Sequence, residues 1–352
     1  MLRILAVTNL YPAPSTPVSG TFIEQQVKGL KQIGLDVDVM YVNRIHGGMK
    51  EYRNLGARVR PRIAAFQPDI VHVMYGGVMA DQITRAVHDR PIVVSFCGAD
   101  LLGEPLVGYV RTFISKYGVW SSYKAARRAH GIVVKSKNLY DLLPLDIDRS
   151  RVKIIPNGVD LERFKPMEKK EARRILGWPM EPAVILFATV RGHVKKRPEL
   201  AQAAVARTKC DRPVELRVMQ GVPHEQVPLW LNASDALILT SINEGSVNII
   251  KEGLACNLPI VSVDVGDVRE RLNGVQLSAI AEPTPEVLGH KLSEILQHGG
   301  RSDGRSHLQD LTITAIAERI KQVYLQVLSS YRGEAINLDR LRRVDHLTSP
   351  AS

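Results

Sequence analysis

The sequence predicts an α/β protein of two domains, each a parallel sheet with helices on both faces. Three observations carry this. The chain has 352 residues, long for one domain and comfortable for two of about 150 to 180. Short apolar runs alternate with helix-length stretches from end to end, the pattern of parallel sheets. Apolar residues make up 45% of the chain, enough for real cores and too many for a disordered chain.

Taken in order, Arg3–Thr8 is a buried-strand run, Asn9–Gly20 a loop rich in Pro, Ser and Gly, Thr21–Ile33 a helix and Val37–Val42 the next strand. Gly20 stands at a helix start, where a glycine lets ligand backbone or phosphate come close. No Gly-x-Gly-x-x-Gly follows, so a dinucleotide dehydrogenase is not supported. Pro68–Gly76 is a strand and glycine turn; its His72 is expected to be a strand residue with a satisfied hydrogen bond. Pro91–Phe96 is a further strand, ending in Cys97-Gly98-Ala99-Asp100. Ile154–Pro166 carries an Asn157-Gly158 turn that marks the start of the second domain and has no chemistry of its own. Val184–Ala188 is a strand, followed by the basic loop Thr189–Pro198 and a helix over Glu199–Arg207. Ala236–Leu239 is another strand. Near the end, Ile316, Ile320, Val323 and Val327 repeat at helical spacing within a helix over about 312–330. The last residues are polar and unpatterned. The expected division is 1–157, 158–311, a helix over 312–331 and a flexible tail over 332–352.

The chemistry concentrates after the Ala236–Leu239 strand. Glu244 lies in the loop and Glu252, eight positions on, in the following helix. At about 1.5 Å of rise per residue, eight residues span roughly 12 Å, about the distance from a nucleotide's ribose to a sugar on its diphosphate. Between the acids lie Gly245, Ser246, Val247 and the free N–H groups of a helix start, an anion site. Two surface acids on a strand–loop–helix would look the same. Upstream, a basic loop carrying Arg191 and Lys196 follows the Val184–Ala188 strand. A diphosphate leaving group needs fixed cations when no metal supplies the charge. The run Lys195-Lys196-Arg197 leaves the choice of second cation open.

These segments resemble the family 4 retaining glycosyltransferases of the GT-B fold. That family pairs a Ser/Thr-Ser-x-x-Glu-Gly segment with a second Glu after seven intervening residues. A small-residue helix, Pro-Ile/Val-Val and a glycine loop come next. Here the match is Thr240–Gly245, Glu252 and Leu254–Val268. The Arg191/Lys196 spacing, the Asn157-Gly158 turn and the Pro68–His72 strand agree with it. The resemblance implies two Rossmann-like domains facing across a cleft, with the last helix crossing back to the first domain. It implies donor binding by Gly20, Arg191, Lys196, Val222 (at the base), Glu244 (at the sugar), Gly245, Ser246, Val247 and Glu252 (at the ribose). Arg191, Lys196 and Glu244 are the expected catalytic set. Cys97, Gly98 and Asp100 belong to the acceptor side. The family usually has His where this chain has Cys97, a departure that bears on how the sugar is held. A covalent role for Cys97 lacks an activating base nearby in sequence.

The implied reaction moves a hexose-type sugar, with UDP-sugar as the default donor, to a glycan, lipid-linked or other anionic acceptor, with retention. A sugar-nucleotide 2-epimerase of the same fold and a non-catalytic sugar-nucleotide-binding regulatory subunit are the alternatives. No cofactor or metal is expected. Asp36-Val37-Asp38 has the look of a metal motif but falls in a strand, where alternation explains it.

Charge adds a partner. Residues 1–155 hold 21 Lys/Arg against 12 Asp/Glu, a balance of +9 of the chain's +11. Residues 111–137 carry seven Lys/Arg and no acid, with Phe113, Tyr117, Trp120 and Tyr123 among them. Such a surface suits an anionic membrane face or acceptor; no nucleic-acid motif accompanies it. No segment reaches the ~18 apolar residues of a membrane span, and Ile4–Val7 is too short for a signal sequence. Three scattered cysteines suit a reducing cytoplasm. The expected place is the cytoplasm, with peripheral contact to the inner membrane face.

Overall fold

A computed structural model describes residues 1–14, 16, 19–104, 109–189 and 194–347, with the side chains of Ile45, Arg111 and residues 334–347 excepted. Arg191 and Gly192 lie outside the described residues. The first sheet holds β1 (Arg3–Thr8), β2 (Asp36–Tyr41), β3 (Ile70–Val73), β4 (Ile92–Phe96), β5 (Gly131–Val134) and β6 (Val152–Ile154) in the order β2-β1-β3-β4-β5-β6. The second holds β7 (Ala183–Ala188), β8 (Val214–Met219), β9 (Ala236–Leu239), β10 (Ile260–Ser262) and β11 (Ser278–Ile280) in the order β11-β10-β9-β7-β8. Every pairing is parallel. Helices cover both faces, so the central strands are apolar without alternation: all residues of β3, β4, β5 and β9 are buried.

Four helices carry the argument: α1 (Thr21–Gln32), α2 (Tyr109–Arg128), α3 (Asn248–Ala255) and α4 (Ile313–Leu347). Strand order reverses between β1 and β3 in one sheet and between β7 and β9 in the other. Ligands of open α/β sheets sit outside the carboxyl ends of the strands at such points. The two sets of carboxyl-end loops meet. A Cβ on Gly245 would stand 2.5 Å from the Cys97 carbonyl oxygen, and the Asn138 amide donates to the Glu244 carbonyl at 2.9 Å.

α4 returns to the first domain. Its Ile316, Ile320, Val323 and Val327 are buried as their spacing predicts. The Tyr324 hydroxyl meets Nδ1 of His72 at 2.6 Å, and Ser95 Oγ lies 2.7 Å from His72 Nε2. His72 is thus a satisfied core residue, and burial pulls its imidazole down to about 3. α4 runs on to Leu347, through most of the stretch expected as a flexible tail. Residues 333–347 contain one glycine and no proline. Their Ala, Leu, Glu and Arg favour helix even without an apolar period. In β2, Asp38 is held by Arg62 at 2.6 and 2.7 Å, and Asp36 faces Arg3 at 3.5 Å, so these acids serve their strand. Among the described residues no helix is long and apolar enough to cross a membrane.

Candidate active site

The loops after β7 and β9 are stapled to each other, and that staple aims the side chains. Arg197 adopts a left-handed conformation (φ 51°) at the start of the helix Pro198–Val205. Its guanidinium donates to the Thr240 carbonyl at 2.5 Å and the Ser241 carbonyl at 3.3 Å. Thr240 Oγ1 donates back to the Lys196 carbonyl at 2.7 Å, and the Ile242 N–H donates to the Lys195 carbonyl at 2.8 Å. The outcome is a Lys196 Nζ–Glu244 Oε1 pair at 2.6 Å, each side chain 17% exposed. The three basic residues therefore separate. Lys196 faces Glu244, Lys195 lies 3.8 Å from Glu104, and Arg197 is spent on backbone.

Two groups of the Gly245–Val247 loop, expected to bind an anion, have a partner within the protein. The Val247 N–H donates to Asp267 Oδ1 and Ser246 Oγ donates to Asp267 Oδ2, both at 2.9 Å. Lys251 Nζ donates to the same Ser246 oxygen at 2.5 Å and lies 3.9 Å from Asp267. Lys251 is fully buried, and desolvation brings its ammonium down to about 8 against the pull of Asp267. This buried network fixes the loop that displays Glu244. The Asn157-Gly158 turn belongs to it too. The Asn157 N–H approaches Ser246 Oγ at 3.4 Å and its amide donates to Asn248 Oδ1 at 3.1 Å. The turn is therefore more than a domain marker. Asp267 and Lys251 were visible in the sequence only as helix and loop charges; their meeting needs the β10 turn.

Glu252 sits on α3 with 14% of its side chain exposed, 3.3 Å from His224 Nε2. Arg163 Nη1 approaches His224 Nδ1 at 2.7 Å. A guanidinium only donates, so Nδ1 is the acceptor and Nε2–H is the donor to Glu252. The His224 ring also packs edge-on against Phe164 at 5.5 Å. Sequence reasoning missed both residues. A lone histidine in the Gln220–Pro228 loop gives no signal, but it stands two places after Val222. Val222 is partly buried against the core.

Across the cleft, Asp100 is buried and takes three backbone N–H groups: Gly76 at 2.8 Å, Cys97 at 3.0 Å and Gly98 at 2.7 Å. These bonds hold the Cys97–Gly98 turn. Burial raises the Asp100 carboxyl despite those bonds. Burial first, then Asp100, pushes the Cys97 thiol up to about 12, which removes the thiolate a covalent role requires. Gly98 lies against Gly245, its missing Cβ 3.7 Å from the Gly245 nitrogen. Gly20 has φ 69°, and a Cβ there would stand 2.4 Å from the Leu10 carbonyl carbon. Its own loop, not a ligand, occupies that space.

Comparison with known proteins bears on the family and the fold. The family described as Glycosyltransferase Family 4 matches residues 20–163, and Glycosyl transferases group 1 matches residues 184–298. TuaC of Bacillus subtilis (strain 168), named for teichuronic acid biosynthesis glycosyltransfer, is 25% identical over 354 residues, spanning 83% of this chain and 88% of TuaC. A D-inositol 3-phosphate glycosyltransferase of Thermobispora bispora is 25% identical over 58% of this chain and 56% of its own length. Among solved structures, sucrose-phosphate synthase from Thermosynechococcus elongatus superposes with a TM-score of 0.75 at 14% identity, covering 93% of this chain and all of that one. Anabaena Alr3699/HepE in complex with UDP and glucose gives 0.65 at 16% identity, covering 94% and 100%. At these identities the structures show the shared two-domain GT-B fold.

Proposed function

The chain belongs to the family 4, group 1 glycosyltransferases, and on that premise we propose that it moves a hexose-type sugar from a UDP-sugar to a glycan, lipid-linked or other anionic acceptor, with retention and without a metal. The Lys196–Glu244 pair carries the reading. It sets a cation and an acid side by side at the carboxyl ends of β7 and β9, where a donor's diphosphate meets its sugar. On binding, the ammonium turns to the diphosphate and the carboxylate accepts from sugar hydroxyls. Glu252, oriented by His224 and Arg163, accepts from the ribose. Arg191, in the loop before Lys196, is the second cation for the leaving phosphate. Fixed cations of this kind stabilise charge as the sugar–phosphate bond breaks.

In the retaining path the acceptor hydroxyl attacks from the face the diphosphate leaves, and a phosphate oxygen takes its proton. That path needs no paired acid and base from the protein. The UDP choice is supported by the UDP and glucose bound in HepE; the glycan acceptor is supported by the name of TuaC.

The test is a panel of UDP- and GDP-sugars read by thermal shift and then by transfer to acceptor. Stabilisation by UDP-sugars, followed by a product with retained anomeric configuration, is the expected result. Glu244→Ala and Arg191→Ala should abolish transfer with the fold intact; near-normal turnover in both refutes the site. Rapid epimer formation from UDP-N-acetylglucosamine without acceptor would replace this reading with an epimerase. Binding without any turnover would leave a regulatory subunit.

A further inference from the structure

A polar cavity of about 320 Å³ lies between the edge of the first sheet and α4. Arg128, His130, Arg151 and Lys153 line one side, and Gln326 and Tyr331 of α4 stand among the residues of the other. Residues 128–130 and 148–151 precede β5 and β6, so the cavity opens at the amino ends of the strands. Lys196 and Glu244 follow the carboxyl ends of theirs, which places them in a different region of the molecule.

The cations here exceed the groups that answer them. Arg128 donates to Asp81 at 2.8 Å, but Asp81 also takes Arg85, so one carboxylate serves two guanidiniums. Arg151 spends Nη1 on the Ala129 carbonyl at 2.8 Å. Its Nε is buried with no hydrogen-bond partner. The Asp148 carboxylate stands 4.0 Å from that nitrogen and already accepts from the Ser150 N–H and hydroxyl at 2.9 and 2.7 Å. Lys153 makes no hydrogen bond or ion pair among the described residues. It pairs in register with Val133, which packs in one cluster with Val323 and Val327 of α4. Those two valines line the cavity with Lys153, so the lysine takes a core-facing position at the sheet edge. The Nδ1 of His130 accepts the Ile92 N–H at 3.0 Å, so Nε2 carries the proton of the neutral ring.

We propose that this cavity binds a small phosphate-bearing anion, held by the Arg151 guanidinium and the Lys153 ammonium beside His130. A guanidinium supplies a planar fork and an ammonium a point charge, the pair that recognises phosphate oxygens. The volume suits a phosphate with a short organic body. A charge on an edge strand also discourages pairing with another sheet, but that role requires neither a cavity nor a second cation.

The position gives the ligand a structural effect. One wall of the cavity is β6 with the turn before it, and the other is α4, so a bound anion ties the two together. β6 leads into the Asn157-Gly158 turn at the start of the second domain, and α4 returns from that domain to the first. The tie therefore falls on both chain connections between the domains. None of this rests on the transfer reading.

The experiment is hydrogen exchange of the full chain, read by mass spectrometry, in millimolar inorganic phosphate against sodium chloride of equal ionic strength. Phosphate should protect peptides covering 148–153 and 323–331. Lys153→Gln should weaken phosphate binding by about tenfold or more with an unchanged melting temperature in chloride, and Lys153→Arg should retain binding. A parallel arm uses α-glycerophosphate: tighter binding than phosphate assigns the site to a phosphate ester, and equal or weaker binding assigns it to free phosphate. Protection that is absent, that chloride reproduces, or that is confined to the loops after β7 and β9 overturns the proposal. So does a Lys153→Gln protein that binds phosphate as the wild type does. Because no turnover is read, failure here leaves the transfer assignment standing, and failure of transfer leaves this site standing.

Discussion

Replacing Lys196 by Met tests the centre of the site. The ammonium lies 2.6 Å from Glu244 in a position 17% exposed, so it is shielded from water but not sealed. A unit charge about 4 Å from the phosphate charge that develops on bond cleavage interacts by about 4 kcal/mol at an effective dielectric constant of about 20. The residual exposure places the loss at or below that figure. Removing one preorganised donor from a comparable site costs about 10²–10³ in kcat, or about 2.7–4 kcal/mol. The expected kcat of Lys196→Met is therefore lower by about 10² to 10³, with a smaller change in the donor KM. The folded state also loses a partner for Glu244, a cost of about 1–3 kcal/mol. The double variant Lys196→Met/Glu244→Gln should recover that stability and remain inactive. Steady-state transfer of labelled sugar, with urea melts of all three proteins, reads both effects. A kcat within about threefold of wild type, less than about 0.7 kcal/mol of barrier, refutes the assignment. So does a double variant that regains activity.

Three further outcomes are expected. His224→Ala removes the donor that orients Glu252 and should raise the donor KM by about tenfold with kcat nearly unchanged, since one lost hydrogen bond to a charged group is worth about 1.5–3 kcal/mol; isothermal titration with UDP checks it. Asp267→Asn keeps the side chain's shape but removes the charge that faces Lys251 and can turn an N–H toward Val247 N–H. It should lower stability by about 1–3 kcal/mol and kcat along with it, read by melting and by a kcat/KM split that falls mainly on kcat. His72 has a folded value of about 3 against 6.5 unfolded, so between those values the unfolded chain binds the extra proton. Stability is then fully present above pH 6.5 and falls as the pH drops, by up to about 1.4 kcal/mol per unit. Urea melts from pH 7 to 4 should show this slope, and His72→Gln should flatten it; an unchanged slope refutes the assignment.

The residues proposed to hold the donor stood out because they are close in sequence. Glu244 and Glu252 are separated by one loop and one turn of helix, and Lys196 follows a strand whose apolar run is plain. Local spacing fixes such groups to within a side chain's reach. The contacts that hold them were not legible. Arg163, His224 and Glu252 come from three segments, and Asp267 reaches Val247 only because β10 and β9 are neighbours. The same distance limit hid the partners of Val247 and Asp100: the Val247 N–H meets the Asp267 carboxylate, and Asp100 takes the N–H groups of Gly76, Cys97 and Gly98.

The sequence by itself determined the class of the protein: two parallel α/β domains, the acid pair after β9, the basic loop after β7 and the excess positive charge of the first half. Periodicity, turn residues and short-range motifs are local properties, and they survive without knowledge of packing. Only the tertiary structure decided which of three adjacent cations faces Glu244, that His224 orients Glu252, and that a lysine and an aspartate lock the loop of Glu244. It also decided that Tyr109, Phe113, Tyr117 and Trp120 of α2 lie outside rather than in the core. These depend on which strands become neighbours and which helix face is covered, and burial, unlike spacing, is a property of the whole chain.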